Sequence, residues 1–158
     1  MNPGDLVEAL AVARAMREHE WLYPAVAIAH IVGFTILVGS VVMFDLRVFG
    51  LSRHLSVRAL ARLLLPWSVA SLAIIVPTGL MLFAAHADDF LESRVFAIKM
   101  ALLLAAGLNA AMFLTGPYQT VKSWDTGATA PVLARLSAAL SIVLWVGVIS
   151  CGRLIARP

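Results

Sequence analysis

The stretch "AIAHIVGFTILVGSVVMFDLRVFG", Ala27 to Gly50, decides the fold. From Ala27 to Phe44 it contains no Asp, Glu, Lys or Arg, and it then ends abruptly in Asp45-Leu46-Arg47. An apolar run of this kind, long enough to cross about 30 Å of hydrocarbon, predicts a transmembrane helix. Its imidazole, His30, lies where no water is expected, and an ionisable group at that depth usually faces protein or a cavity.

The rest of the chain repeats the pattern. Hydrophobic residues make up 61% of the 158 and charged residues 13%. A soluble domain is nearer half apolar and a quarter charged, so this chain cannot bury its apolar side chains in a soluble core. Four spans are predicted, at about 22–44, 63–85, 95–115 and 131–151, forming a single membrane domain over 1–158. Trp21 and Tyr23 open the first span as belt aromatics do, and Pro131 suits the first turn of the fourth. Short loops make neighbours antiparallel, so the expected fold is an all-α up-down four-helix bundle. Residues 3–18 are expected to form a short amphipathic helix at the membrane surface, with Leu6, Leu10, Ala13 and Arg17 on one face. The first twenty residues do not read as a signal peptide, because Asp5, Glu8, Glu18 and Glu20 interrupt them. The loop "TGPYQTVKSWDTGATAP" looks the most flexible part of the chain.

With side A defined as the side of the N-terminus, side B carries Arg47, Arg53, Arg58, Arg62, Lys122 and Arg135. Side A carries Arg14, Arg17, Arg94, Lys99, Arg153 and Arg157. The totals tie, but the loop after the first span is the densest basic cluster. The expected orientation therefore puts side B in the cytoplasm and both termini in the periplasm.

The net charge of +3 comes without a basic, aromatic-interleaved stripe, so nucleic acid is not an expected partner. The single Cys151 excludes an intrachain disulfide, and no CxxC or CxxCH motif exists. GxSxG, HExxH, paired intramembrane carboxylates and phosphate-cradling loops are also missing, so a stand-alone enzyme is not expected.

At about 1.5 Å per residue His30 lies about 12 Å below side A, Thr78 and Trp145 about 10 Å, and Lys99 about 6–8 Å. These four residues are the candidate cofactor-binding layer. Pro77 leaves a carbonyl without its usual donor, which Thr78, a water or a ligand would satisfy. A second layer nearer side B contains Ser40, Ser71, Asn109 and Ser137, and Asn109 reads as interhelical glue. Asp45 and Arg47 read as an ion pair or an anchor that fixes a helix end.

For His30 the readings are a neutral imidazole bonded to a carbonyl or hydroxyl, an axial haem ligand, a copper ligand or a proton carrier. His86 is the candidate second iron ligand, but it lies roughly 10 Å shallower than His30, which disfavours one shared iron. Lys99 either snorkels to the side A headgroups or meets a propionate or quinone oxygen. Met43, Met81, Met100, Met112 and Cys151 offer soft copper ligands but form no MxxM or MxxxM cluster. Small pairs such as Ala29/Gly33, Ser137/Ser141 and Gly147/Cys151 suit close helix packing, within the bundle or in a homo-oligomer.

The order "WLYP…AHIVG…DLRVFGL", "LLPW…PTGLMLF" and "FAIKMALLLAAGLNA" resembles an uncharacterised family of bacterial four-helix inner-membrane proteins, over roughly Trp21 to Phe113. The residues that carry it are His30, Asp45-Leu46-Arg47, Gly79, Phe96, Lys99 and Asn109. That family is distantly similar to the CopD-type membrane domain of copper-resistance proteins. The resemblance implies a bacterial plasma membrane and a compact bundle, supplies no reaction, and through CopD implies copper handling. The leading expectation is a membrane cofactor-binding protein, a haem b or quinone-linked electron carrier centred on His30. The alternatives are a small-solute or metal-ion permease using the same layer, and a structural partner subunit without chemistry of its own.

Overall fold

The computed structural model describes residues 11–155. Its helices are α1 (Ala11–Glu18), α2 (Leu22–Phe49), α3 (Val57–Ala85), α4 (Ala87–Glu92), α5 (Arg94–Thr115) and α6 (Val132–Ile155), with a 3-10 segment at Pro117–Ser123. No strand occurs among the described residues. Four of the helices, α2, α3, α5 and α6, are long and apolar enough to cross a bilayer. Their outer faces carry exposed Ile28, Ile31, Leu63, Leu104, Leu108, Leu133 and Val143, a surface suited to acyl chains. The chain is an all-α integral membrane bundle.

The spans are longer than the sequence suggests, and the difference is local physics. Helix α2 continues past Asp45 to Phe49, so both Asp45 and Arg47 are helical. Gly50 stops it with φ 131°, a conformation glycine adopts without strain, while its N–H reaches back to Leu46 and Arg47. Helix α3 begins at Val57, well before Leu63, because Ser56 caps it by accepting from the N–H of Ala59 at 3.0 Å. Pro66 and Pro77 both lie inside that helix.

Helices α2 and α3 pack closely, as do α5 and α6, and α2 against α6 joins the two hairpins. The four spans thus follow the spatial order α3, α2, α6, α5. The main core lies in the side B half, where Phe44, Val48, Val57, Ala61, Phe113, Trp124, Ala134 and Ala138 pack together. The Phe44 and Phe113 rings meet edge to face at 5.7 Å and set the register of α2 against α5. A smaller cluster of Met16, Val26 and Ala85 closes side A. There Phe83, Phe90 and Phe96 bring α3, α4 and α5 together, with centroids 5.3–6.0 Å apart.

One expectation is refined and one corrected. The described part of the short N-terminal helix does not stand apart from the bundle. Among its described residues Ala13 and Met16 are buried against the bundle, and Arg17 donates to the carbonyl of Ala85 at 3.1 Å. A cation there complements the C-terminal end of α3. Residues 3–10 of the expected helix lie outside the described residues. The 115–131 loop is not loose either. It contains the 3-10 segment, and Val121, Trp124 and Ala130 are buried in the core, Trp124 with 2% exposure. Burying an indole stabilises by roughly 2–3 kcal/mol, which outweighs the polar, glycine-containing composition that suggested mobility.

Candidate functional site

His30 projects from α2 toward α3. Its Nδ1 lies 3.0 Å from Oγ1 of Thr78. The Thr78 hydroxyl donates within its own helix to the carbonyl of Ile74, with that of Ile75 at 3.2 Å. A hydroxyl has one proton, so Thr78 must accept from His30. The hydrogen-bond network therefore assigns the proton to Nδ1 and leaves Nε2 with its lone pair. The Ile75 carbonyl also lies beside the ring.

Glycine makes this contact feasible. A Cβ on Gly79 would meet His30 Cε1 at 3.1 Å, and one on Gly33 would meet Ile75 Cγ1 at 3.0 Å. Both positions let α2 and α3 approach closely. On the other side the imidazole is near parallel to Phe34, with centroids 6.5 Å apart, and Phe34 meets Trp145 edge to face at 5.9 Å. Phe34 thus stands between His30 and Trp145, a link that helical depth alone does not give.

Lys99 is half-buried on α5. The register set by Phe44 and Phe113 puts its backbone level with that of His30. Its ammonium lies 3.9 Å from where a Cβ on Gly152 would be, near the last turns of α6. A cation is favoured at that helix end. The four expected residues therefore form two direct pieces, His30–Thr78 and Lys99–Gly152, with Trp145 reached through Phe34.

His86 caps α3 and packs edge to face on Tyr23 at 5.5 Å, and its Nδ1 is buried without a partner. It lies one contact layer above His30. His30 faces Thr78 and Gly79, and His86 is two helical turns further along α3, about 10 Å. Two imidazoles so spaced do not hold one iron, so the His30–His86 pair does not fit a bis-histidine haem. Soft metal ligands do not converge either: Met43, Met100 and Met112 are exposed on outer faces, and Cys151 is buried. Among the described residues no group of three or more His, Cys, Asp and Glu is placed to hold a metal ion.

Asn109 Nδ2 donates to the Ser137 carbonyl at 3.0 Å, and the Ser137 hydroxyl donates to Asn109 Oδ1 at 2.9 Å, joining α5 to α6. Arg47, 3% exposed, does not pair with Asp45. Its Nε donates to the Leu55 carbonyl at 2.7 Å, and one Nη reaches the carbonyls of Arg53 at 3.0 Å and Asp125 at 2.9 Å. Residues at i and i+2 diverge on a helix, so the adjacency of Asp45 and Arg47 in sequence does not bring them together. Asp125 completes the junction. Its carboxylate accepts from Ser56 Oγ at 2.9 Å and from the Arg58 N–H at 2.8 Å, at the start of α3. Partial burial opposes ionisation of Asp125, but these donors and the Arg58 charge hold its pKa below the usual carboxylate value. Sequence reading missed Asp125. Its only signal was an acid in a loop otherwise poor in them.

An α-helical membrane bundle with an imidazole–hydroxyl pair between two spans and a locked junction at one end is the class of protein these observations define. Residues 19–157 match the family of unknown function DUF6644, and the chain belongs to that family. No curated protein matches it, and no solved structure does. The distant likeness to CopD-type domains finds no support in these comparisons.

Proposed function

We propose that this chain is a cofactor-binding protein of the bacterial inner membrane, with both termini in the periplasm, and that it serves as a quinone-linked electron carrier centred on His30. The observation that carries the reading is the His30–Thr78 bond at 3.0 Å, which leaves Nε2 as an acceptor in the apolar interior. A quinol hydroxyl is a natural donor to that nitrogen. Lys99, half-buried on α5, would meet a quinone oxygen, and Phe34 and Trp145 offer aromatic faces to the ring. When bound, a quinone supplies two-electron, two-proton chemistry; the residues of the chain bind, orient and exclude water.

Haem b is the less favoured cofactor, because His30 has no second imidazole at its own depth. The alternative of a metal-ion permease has no convergent donor set in its favour. Self-association through small-residue faces is compatible with the nearly bare outer surface of α5.

The test is twofold. Titrating a short-chain quinone into purified protein should quench tryptophan fluorescence saturably in wild type and fail to do so in His30→Ala. Absorption spectra before and after dithionite should show no Soret band. A Soret band lost in His30→Ala would replace the quinone with haem, and unsaturable quenching in wild type would end the quinone reading.

A further inference from the structure

Asp45 is not used by the His30 layer. It lies on α2 some fifteen residues further along, about 22 Å away along the axis and toward side B. Its side chain is 7% exposed, and its Oδ2 is buried without any hydrogen-bond partner. The hydroxyl of Ser141 on α6, itself buried, approaches the carboxyl. No ion pair involves Asp45 among the described residues.

None of the charges around it pairs with it among the described residues. Arg47 on the same helix is spent on the carbonyls of Arg53, Leu55 and Asp125. Arg135 on α6 has its guanidinium 5.7 Å from the Phe49 ring centroid, and its buried Nε has no hydrogen-bond partner, Asp45 included. Arg58 and Arg62 stand on the first turns of α3, Arg62 exposed and Arg58 beside the Asp125 carboxylate. Helix α5 meets α2 here through Phe113, which is uncharged. An ionised carboxylate with one oxygen bare of donors, in an apolar seam and without a cation, is strongly disfavoured. The neutral acid needs less, since it presents one O–H and one acceptor, and Ser141 can serve one of them.

We propose that Asp45 is a proton-binding site: its carboxyl is carried as the neutral acid in the seam between α2 and α6, beside the Ser141 hydroxyl, and exchanges its proton with the aqueous phase on side B. The bond formed and broken is the O–H of the carboxyl, with the proton drawn from and returned to water. The junction loops above Asp45 lie toward side B, which sets the side of exchange. This inference is independent of the quinone reading and survives its failure. If both hold, the chain has a proton store on the opposite side of the membrane from the quinone layer.

The experiment is infrared spectroscopy of the full chain in phospholipid vesicles at neutral pH. A carbonyl band of a neutral carboxylic acid should be present in wild type. It should move to lower frequency in deuterium oxide, change frequency in Ser141→Ala and vanish in Asp45→Asn. His30→Ala should leave it unchanged, which separates the two proposals. Asp45→Asn should also match or exceed the wild-type thermal midpoint, since no ion pair is lost. A carboxylate band in place of the acid band, with or without sodium dependence, would overturn the proposal. So would an acid band that deuterium oxide fails to shift. If Asp45→Asn does not fold, isotope-edited spectra of aspartate-labelled wild type, with Ser141→Ala as the frequency probe, decide the same question.

Discussion

Nδ1 of His30 and Oγ1 of Thr78 lie 3.0 Å apart across the α2–α3 interface, and the Thr78 hydroxyl already donates to its own helix. The imidazole is therefore oriented by a neighbour that can only accept from it. Ligand-holding histidines are commonly steadied in this way, and loss of the steadying partner typically costs 10–100-fold in affinity at metal sites. Thr78→Val keeps the shape and removes the acceptor. Quinone affinity should fall by about fivefold, in line with one lost hydrogen bond of about 1 kcal/mol, and Thr78→Ser should restore most of it. Fluorescence titration reads both.

Gly79→Ala tests how tightly α2 and α3 are pressed together. The new methyl would sit 3.1 Å from His30 Cε1, so the ring or the helix must shift. Overpacking of this kind costs about 1–3 kcal/mol. The expected outcome is a lower thermal midpoint in detergent together with weaker ligand binding. Gly107→Ala, where nothing lies within 4 Å of the added atom, should leave both unchanged.

Arg47→Ala should be among the most damaging single changes in the chain. It strands the carbonyls of Arg53, Leu55 and Asp125, at about 1–3 kcal/mol for each acceptor that water cannot reach. Arg47→Lys keeps the charge but not the fork, so it should recover only part of the loss. Chemical unfolding measures the cost, and limited proteolysis should show new cleavage in the 116–131 loop.

Asp125 gives a pH dependence with a fixed sign. Its folded-state pKa is lowered, so the unfolded chain binds its proton more tightly than the folded one. The stabilisation is fully present above the ordinary carboxylate pKa. It fades as pH falls through the lowered folded-state value. Thermal midpoints measured from neutral to acid pH should show this limb in wild type and a shallower one in Asp125→Asn.

The four spans were legible because hydropathy is a bulk property of the chain, and no soluble arrangement accommodates so many apolar residues. Helix ends were less legible. Arg47, Arg53 and Arg58 look like loop residues in sequence, yet Arg47 is helical because α2 runs on to Gly50, and Arg58 because capping by Ser56 and Asp125 decides where α3 starts. The depth argument brought His30 and Thr78 together, since depth follows directly from helical rise. It did not separate Trp145 from His30, because rotation about the α6 axis depends on packing that only the assembled helices define. The loop around Trp124 misled for the complementary reason: composition reports local polarity, whereas one indole in a gap fixes the whole segment.

Arg47 and Asp125 fasten the two helical hairpins to each other at side B, and most of the core lies at that same end. At side A the hairpins are joined through the short helix Ala87–Glu92 and a face of three phenylalanines. The molecule is built like a clothes-peg, fastened at side B by hydrogen bonds between loops and joined at side A by the chain itself. Parting α2 from α3 at His30 would break the Thr78 bond and the close glycine contacts, all of which lie within one hairpin.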